Sequence, residues 1–123
     1  MSQWLLVASG GALGSISRYA INLLAISRLN SNLLGTFFVN ISGSLILGII
    51  IGILDNKSGQ STSFRLFAII GFLGSFTTFS TLTVASAKLI FADELIKFLL
   101  NILLSILIGL IAASLGIFIG KNI

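Results

Sequence analysis

A dense run of small and hydroxyl-bearing side chains, GFLGSFTTFSTLT from Gly71 to Thr83, lies in the middle of an otherwise apolar stretch. Glycine loosens the backbone, and serine and threonine hydroxyls compete for its hydrogen bonds, so the run favours a break in a helix even without proline. A helix that is broken inside a membrane frees carbonyl oxygens, which are suitable ligands for Na⁺-like cations. The alternative is a continuous helix whose hydroxyls bond back to the preceding turn.

Two other polar side chains fall inside apolar stretches, where an unpaired amide or charge is costly. Asn40 lies one helical turn from Thr36 and Ser44, in GTFFVNISGS, which gives a polar stripe on one face. Its amide could donate to an anion or tie one helix to another. Arg18 follows Gly14 by four residues, in GGALGSISRY, so it could face a cavity or extend to the membrane surface.

Small and polar residues also follow helical spacing in the last apolar stretch. Asn101, Ser105 and Gly109 are four residues apart and form a thin line on an apolar helix. This line could border a narrow path or form a packing seam. Pairs of small residues four apart allow close helix approach in lipid, and they occur at Gly10 and Gly14, Gly48 and Gly52, and Gly116 and Gly120.

The elements that must position these residues are membrane helices. Hydrophobic residues make up 56% of the 123-residue chain, charged residues only 8%, and the mean hydropathy is +1.16. A helix needs about 20 mostly apolar residues to cross the hydrocarbon layer, and such stretches occur at about 4–26, 33–54, 66–91 and 98–120. The sequence therefore predicts one all-α domain over residues 1–123, an integral membrane protein with four transmembrane helices of which the third is broken.

Composition argues against several other classes of protein. The chain has neither cysteine nor histidine, which excludes disulfides, thiol metal sites and a histidine proton relay. No nucleophile-base pair or metal cluster is visible in the sequence, so we expect no enzymatic activity. Basic residues are scattered singly despite the formal net charge of +4, which gives no support for nucleic acid binding.

Basic residues divide evenly between the two predicted faces of the membrane. The two sets of three are Lys57, Arg65 and Lys121 on one face, and Arg28, Lys88 and Lys97 on the other. Because lysine and arginine in short loops set the orientation of insertion, this tie predicts dual topology. Four short helices cannot easily enclose a hydrated path, so transport would require an oligomer.

Four segments, in order along the chain, resemble the Fluc/CrcB family of fluoride ion channels. They are GGALGSISRY, GTFFVNISG, GFLGSFTTFST and NILLSILIGLIAASLG, one from each apolar stretch. The resemblance implies passive export of cytoplasmic fluoride across the cell inner (plasma) membrane, and hence fluoride resistance. It also implies an antiparallel dimer of oppositely inserted subunits with pores along the interface, which agrees with the predicted dual topology.

The same resemblance implies roles for individual residues. A structural Na⁺ at the dimer centre would be held by the backbone carbonyls of Gly74 and Thr77. Asn40 and Phe79 would line the fluoride path, since an amide N–H and an aromatic ring edge both offer positive charge to an anion. The remaining candidates are pore hydroxyls and a supporting arginine, namely Ser80, Thr81, Ser105 and Arg18.

Two positions depart from the family pattern. Leu82, in the predicted pore, replaces a second phenylalanine, and Ala85 stands where a carboxylate is common. These departures leave open a heterodimer with a complementary subunit, although a homodimer is the first expectation. Two alternative functions also stay open: a proton-coupled small multidrug exporter, which would need an intramembrane carboxylate, and a noncatalytic membrane assembly subunit.

Overall fold

Only helices and their connecting turns occur in the described residues, 2–56 and 61–123, of the computed structural model. Lys57, one of the six basic residues in the predicted charge balance, lies outside them. The elements in chain order are α1 (Gln3–Leu29), α2 (Asn32–Asn56), α3 (Thr62–Phe64), a π-helix (Arg65–Leu73), α4 (Gly74–Phe76), α5 (Phe79–Phe91) and α6 (Leu95–Lys121). The all-α prediction is confirmed.

Three helical stretches are long and apolar enough to cross a membrane. They are Asn32–Asp55, Thr62–Phe91 and Leu95–Lys121, with 24, 30 and 27 residues. The chain is therefore a multi-pass membrane protein. Helix α1 is equally long, at 27 residues, but Arg18, Asn22 and several serines make it more polar. A fourth span through α1 remains a prediction.

Short turns with left-handed residues connect the long helices. Helix α1 ends at Asn30, which has φ 50° and ψ 36°, and the Asn30 N–H donates to the Ile26 carbonyl. Asparagine tolerates this conformation better than most residues, so it is a suitable end for a helix. Asp93 has φ 57° in the turn between α5 and α6. These turns place consecutive helices side by side and antiparallel.

Helices α2 and α6 contact each other backbone to backbone through their glycines. A Cβ atom at Gly48 would collide with the Ala113 carbonyl, and one at Gly116 would collide with the Leu45 carbonyl. Gly52 and Gly120 repeat this contact one turn further on. In lipid, such close packing replaces the hydrophobic effect as a force that holds helices together. The predicted small-residue pairs in these two helices thus act within the chain.

Helix α1 is held in the same manner against the π-helix. A Cβ at Gly10 would collide with the Phe67 carbonyl, and one at Gly14 with the Phe72 carbonyl. The core beside this contact consists of the buried side chains of Val39, Leu73 and Phe76. Helix α1 and the core therefore fix the backbone up to Phe76, where α4 ends. The chain leaves the helix at the next two residues, Thr77 and Thr78.

The α2–α6 contact predicts opposite effects of alanine at two glycines of one helix. Gly116→Ala should lower the free energy of unfolding by about 1–3 kcal/mol, because the new Cβ would force the two backbones apart. Gly109→Ala is the control, since its Cβ would meet only the Ile41 Cδ1 at 3.7 Å. It should be neutral or stabilising by up to about 1 kcal/mol through helix propensity. Thermal unfolding in detergent would compare them, and equal melting temperatures would contradict the glycine contact.

Candidate functional site

Two residues with extended backbone, Thr77 and Thr78, separate α4 from α5. Thr77 has φ −78° and ψ 156°, and Thr78 has φ −151° and ψ 116°. The last helical bonds before them go to Leu73, whose carbonyl accepts from the Thr77 N–H at 3.1 Å and from the Thr77 hydroxyl at 3.0 Å. Helical hydrogen bonding is therefore interrupted in the middle of the stretch Thr62–Phe91.

The amide of Asn40 bonds to both backbone groups of Thr78. Its Oδ1 accepts from the Thr78 N–H at 2.8 Å, and its Nδ2 donates to the Thr78 carbonyl at 3.0 Å. These residues are 38 positions apart, so a side chain of α2 provides the hydrogen bonds that a continuous helix would provide locally. Thr78 is buried, and this pairing satisfies polar groups that would otherwise be costly there.

The hydroxyl of Thr78 begins α5. Its Oγ1 accepts from the Thr81 N–H at 3.2 Å, which is a standard N-cap bond. The same hydroxyl donates to Thr81 Oγ1 at 3.1 Å and lies 3.3 Å from Ser80 Oγ. Thr78 thus links the interruption to two further hydroxyls at the start of the next helix.

Because of these bonds, two backbone N–H groups no longer donate to the carbonyls that they would pair with in a helix. In an α-helix the carbonyl of residue i accepts from the N–H of residue i+4, so Gly74 would pair with Thr78 and Thr77 with Thr81. The Thr78 N–H instead donates to Asn40, and the Thr81 N–H donates to the Thr78 hydroxyl. Gly74 and Thr77 therefore lose their helical donors, and Gly74 is exposed. Both carbonyls are suited to bind a cation.

A cavity of about 300 Å³ lies beside the interruption, and we call it the break cavity. It brings together five of the predicted site residues. Its lining consists of Asn40, Gly43, Ser44, Leu47, Ile69, Leu73, Gly74, Thr77, Thr78, Phe79 and Leu82. Phe79 is 76% exposed and Leu82 is buried, so only the phenylalanine ring is free to contact another subunit or an ion path.

A second and wider cavity, of about 760 Å³, lies between α1, the start of α2 and α5. We call it the lateral cavity. Its lining consists of Tyr19, Asn22, Ile26, Asn32, Leu33, Thr36, Ser80, Thr81, Val84, Ala85, Lys88 and Leu89. Ser80 and Thr81 thus border this cavity and not the break cavity. The Thr78 hydroxyl bonds to both, so it lies between the two spaces.

Comparison with known proteins gives one consistent result. The model of the family described as CrcB-like protein, Camphor Resistance (CrcB), matches residues 5–117. The chain belongs to the CrcB family. The chain is also 38% identical to the fluoride-specific ion channel FluC of Hydrogenovibrio crunogenus, over 98% of this chain and 92% of that one. A protein with the same name from Campylobacter jejuni subsp. jejuni is 42% identical, over 95% and 96% of the two chains.

The names of these CrcB relatives also help to decide whether this chain is an enzyme. A third relative, from Hyphomonas neptunium, is 39% identical over 100% of this chain and 98% of its own, and it too is named as a fluoride-specific ion channel. The relatives are ion channels by name and not enzymes, which confirms the prediction that this chain is not an enzyme.

Two of the predicted CrcB site residues border neither cavity. Ser105 is buried, and its hydroxyl has no hydrogen-bond partner among the described residues. Arg18 is half-buried, and its carbonyl accepts from Asn22 Nδ2 at 3.1 Å. Asn101, one turn before Ser105, donates to the Ser86 hydroxyl at 2.8 Å and so ties α6 to α5. At Asn101, the line on α6 is therefore a packing seam.

Sequence reasoning missed three of the four neutral polar residues that α1 and α2 place in the lateral cavity, and it noted the fourth, Thr36, only as part of a stripe with Asn40. Tyr19, Asn22, Asn32 and Thr36 come from α1 and the start of α2, and they face hydroxyls of α5. Tyr19 and Asn22 lie one turn or less from Arg18, so polar residues on that part of the first apolar stretch were the available signal. The partner element could not be read from the sequence.

The Asn40–Thr78 pairing predicts a large effect of removing the amide. Asn40→Leu leaves the Thr78 N–H and carbonyl unpaired, and each buried unpaired group costs about 1–3 kcal/mol. Stability should fall by at least about 2 kcal/mol, as measured by thermal unfolding in detergent. Ser44→Ala is the control, because Ser44 borders the same cavity but makes no hydrogen bond to Thr78. If both variants melt at the same temperature, the amide is not a structural tie.

Proposed function

We propose that this chain forms a fluoride-specific ion channel in the cell inner (plasma) membrane, through which cytoplasmic fluoride leaves passively. The observation that supports this proposal most directly is the break cavity, where Asn40 and Phe79 meet two carbonyls without helical donors. The curated relatives, which have this function by name and match nearly the full chain, give independent support.

Weak neutral donors suit the transport of fluoride. Removing a small ion completely from water costs on the order of 20 kcal/mol in the idealised limit, so a path must replace the hydration shell continuously. One N–H of the Asn40 amide bonds to Thr78, and its second N–H remains available beside the break cavity. The ring edge of Phe79 and the hydroxyls of Ser80 and Thr81 would extend this set of donors along α5.

A second copy of the chain would complete the path. The break cavity opens at the surface of one chain, and Phe79 stands out beside it with 76% of its surface exposed. An antiparallel homodimer would cover this face with an identical one, in agreement with the predicted dual topology. A heterodimer with a related subunit is the alternative, because buried Leu82 offers no second aromatic ring to the path.

A structural Na⁺ forms the second part of the proposal. The carbonyls of Gly74 and Thr77 would hold it, since neutral oxygens are the ligands that a hard cation prefers. No cluster of three or more acidic, histidine or cysteine side chains occurs in the described residues, so main-chain oxygens are the available ligands. When bound, Na⁺ would supply a positive charge close to the anion paths.

The alternative functions have less support. A proton-coupled multidrug exporter needs a carboxylate inside the membrane. Asp93 and Glu94 lie in the turn between α5 and α6, and Asp55 lies in the last turn of α2, where it pairs with Lys121 at 3.8 Å. A noncatalytic assembly subunit would use the glycine faces for contact, but in α2 and α6 those faces are occupied within the chain.

Fluoride release from liposomes tests the channel directly. The purified chain, reconstituted in vesicles loaded with potassium fluoride, should release fluoride at neutral pH without a proton gradient when valinomycin carries the countercharge. A fluoride electrode would record the release. Asn40→Asp keeps an acceptor for the Thr78 N–H but loses the donor to the Thr78 carbonyl and presents negative charge, so it should suppress the release strongly. Release that depends on a proton gradient would favour the exporter, and none at all would favour the assembly subunit or a channel that needs a second kind of subunit.

Two neighbouring threonines give a test of the Na⁺ site that does not depend on flux. Thr77→Ala removes the hydroxyl bond to Leu73 and the methyl group beside Gly43 but keeps the main-chain oxygen, so it should preserve a rise in melting temperature when Na⁺ replaces K⁺. Thr78→Ala removes the cap that fixes the start of α5 beside the Thr77 carbonyl, so more of this rise should be lost than in Thr77→Ala. The opposite ranking of the two variants would exclude a site built from main-chain oxygens.

A further inference from the structure

The lateral cavity has one charged side chain in its lining. Lys88 is exposed, and it makes no ion pair with any of the described residues. Lys97 and Lys121, by contrast, pair with Glu94 and Asp55. The other polar groups of the cavity are neutral hydroxyls and amides. The formal charge of this space is therefore the charge of Lys88.

Lys88 lies on the same face of α5 as one of the hydroxyls deeper in the cavity. Thr81, Ala85 and Lys88 follow one another at helical spacing, so they share a face of the helix. Thr81 and Lys88 are seven positions apart, which corresponds to roughly 10 Å along the axis. Helix α5 ends at Phe91, one turn beyond Lys88. The lysine thus lies near the outer end of the cavity wall, and the hydroxyls lie near the interruption.

We propose that Lys88 collects anions in the lateral cavity and delivers them to the hydroxyls of Ser80 and Thr81. The proposal rests on the proposed function for the identity of the anion, which is fluoride. A fixed charge beside low-dielectric walls raises the local concentration of the opposite charge. At roughly 10 Å, a single charge should enrich a monovalent anion about two- to tenfold at low ionic strength. This distance is close to the screening length in about 0.1 M salt, so the effect should depend on salt.

The competing explanation is a lysine that merely extends to the lipid headgroups, as lysines near helix ends commonly do. Under that explanation the ammonium group anchors α5 but does not act on ions in the cavity. The two roles differ in what they predict for the potential at the cavity wall, and this potential can be measured.

Flux measurements give the first test. Lys88→Gln should reduce the initial rate of fluoride release about two- to tenfold at low ionic strength, and the difference from the unmodified chain should shrink in high salt. Lys97→Gln is the matched control, because this lysine lies beside the same turn and is already paired with Glu94. It should leave the rate unchanged, and Lys88→Arg should restore it. Equal rates for the two glutamine variants would overturn the proposal.

Cysteine chemistry gives a second readout that needs no flux. The natural chain has no cysteine, so Ala85→Cys introduces a single thiol on the cavity wall. A negatively charged methanethiosulfonate should react with it faster than a positively charged one, and Lys88→Gln should lower the ratio of the two rates about two- to tenfold. A change in thiol reactivity that affects both reagents equally cancels in the ratio of their rates. Lys88→Arg should preserve it.

The two readouts separate failure of this inference from failure of the proposed function. If the unmodified chain releases no fluoride but the rate ratio depends on Lys88, the proposal that this chain alone forms a fluoride channel fails and the anion-collecting role stands. If the chain conducts fluoride but the ratio is the same with lysine and glutamine at position 88, the channel stands and the role of Lys88 is overturned.

Discussion

The pairing of the Asn40 amide with the Thr78 backbone is the interaction on which the site depends. An interrupted helix inside a membrane is tolerated only if its freed groups find partners in the protein, since lipid offers none. Asn40 provides a donor and an acceptor to one residue, at 3.0 and 2.8 Å, and the Thr78 hydroxyl then caps α5. The bond to Asn40 Oδ1 takes the Thr78 N–H away from Gly74, and the cap takes the Thr81 N–H away from Thr77. The stability of the interruption and the availability of its carbonyls therefore have one cause.

Close packing on both sides of the interruption keeps this geometry in place. Gly10 and Gly14 bring α1 against the π-helix, and Gly43 lies against the methyl group of Thr77, where a larger residue would collide. Helix α2 holds Asn40 and is itself fixed to α6 by glycine contacts at Gly48 and Gly52. The small-residue pairs thus do not line a path. They set the distances at which a single amide can reach across from one helix to the next.

Much of the fold could be predicted from the sequence, because long apolar stretches with few charges have one stable form in lipid. The region of the interruption, between Gly71 and Thr83, could also be predicted, since glycine and hydroxyl residues weaken a helix locally. The hydrogen-bond partner of Asn40 could not be predicted, because a contact across 38 positions depends on how α2 packs. Asn40 has two possible roles, as an anion donor or as a helix tie. The structure shows that they do not exclude each other, because only one N–H of the amide bonds to Thr78. The separation of Ser80 and Thr81 from the break cavity has the same origin, since it depends on the direction in which α5 restarts.

The distribution of charge follows from the cost of placing ions in a medium of low dielectric constant. A charged side chain at the interruption would add to the field of the proposed Na⁺ and bind an anion too firmly for rapid release, whereas neutral amides, ring edges and hydroxyls replace water without holding the ion. No charged residue lines the break cavity. The lysine of the lateral cavity lies near the end of α5, where water can screen it and where attraction changes the rate of arrival more than the depth of binding. In the proposed channel, neutral side chains at the interruption and a charged one near the end of α5 would therefore favour passage of an anion over its retention.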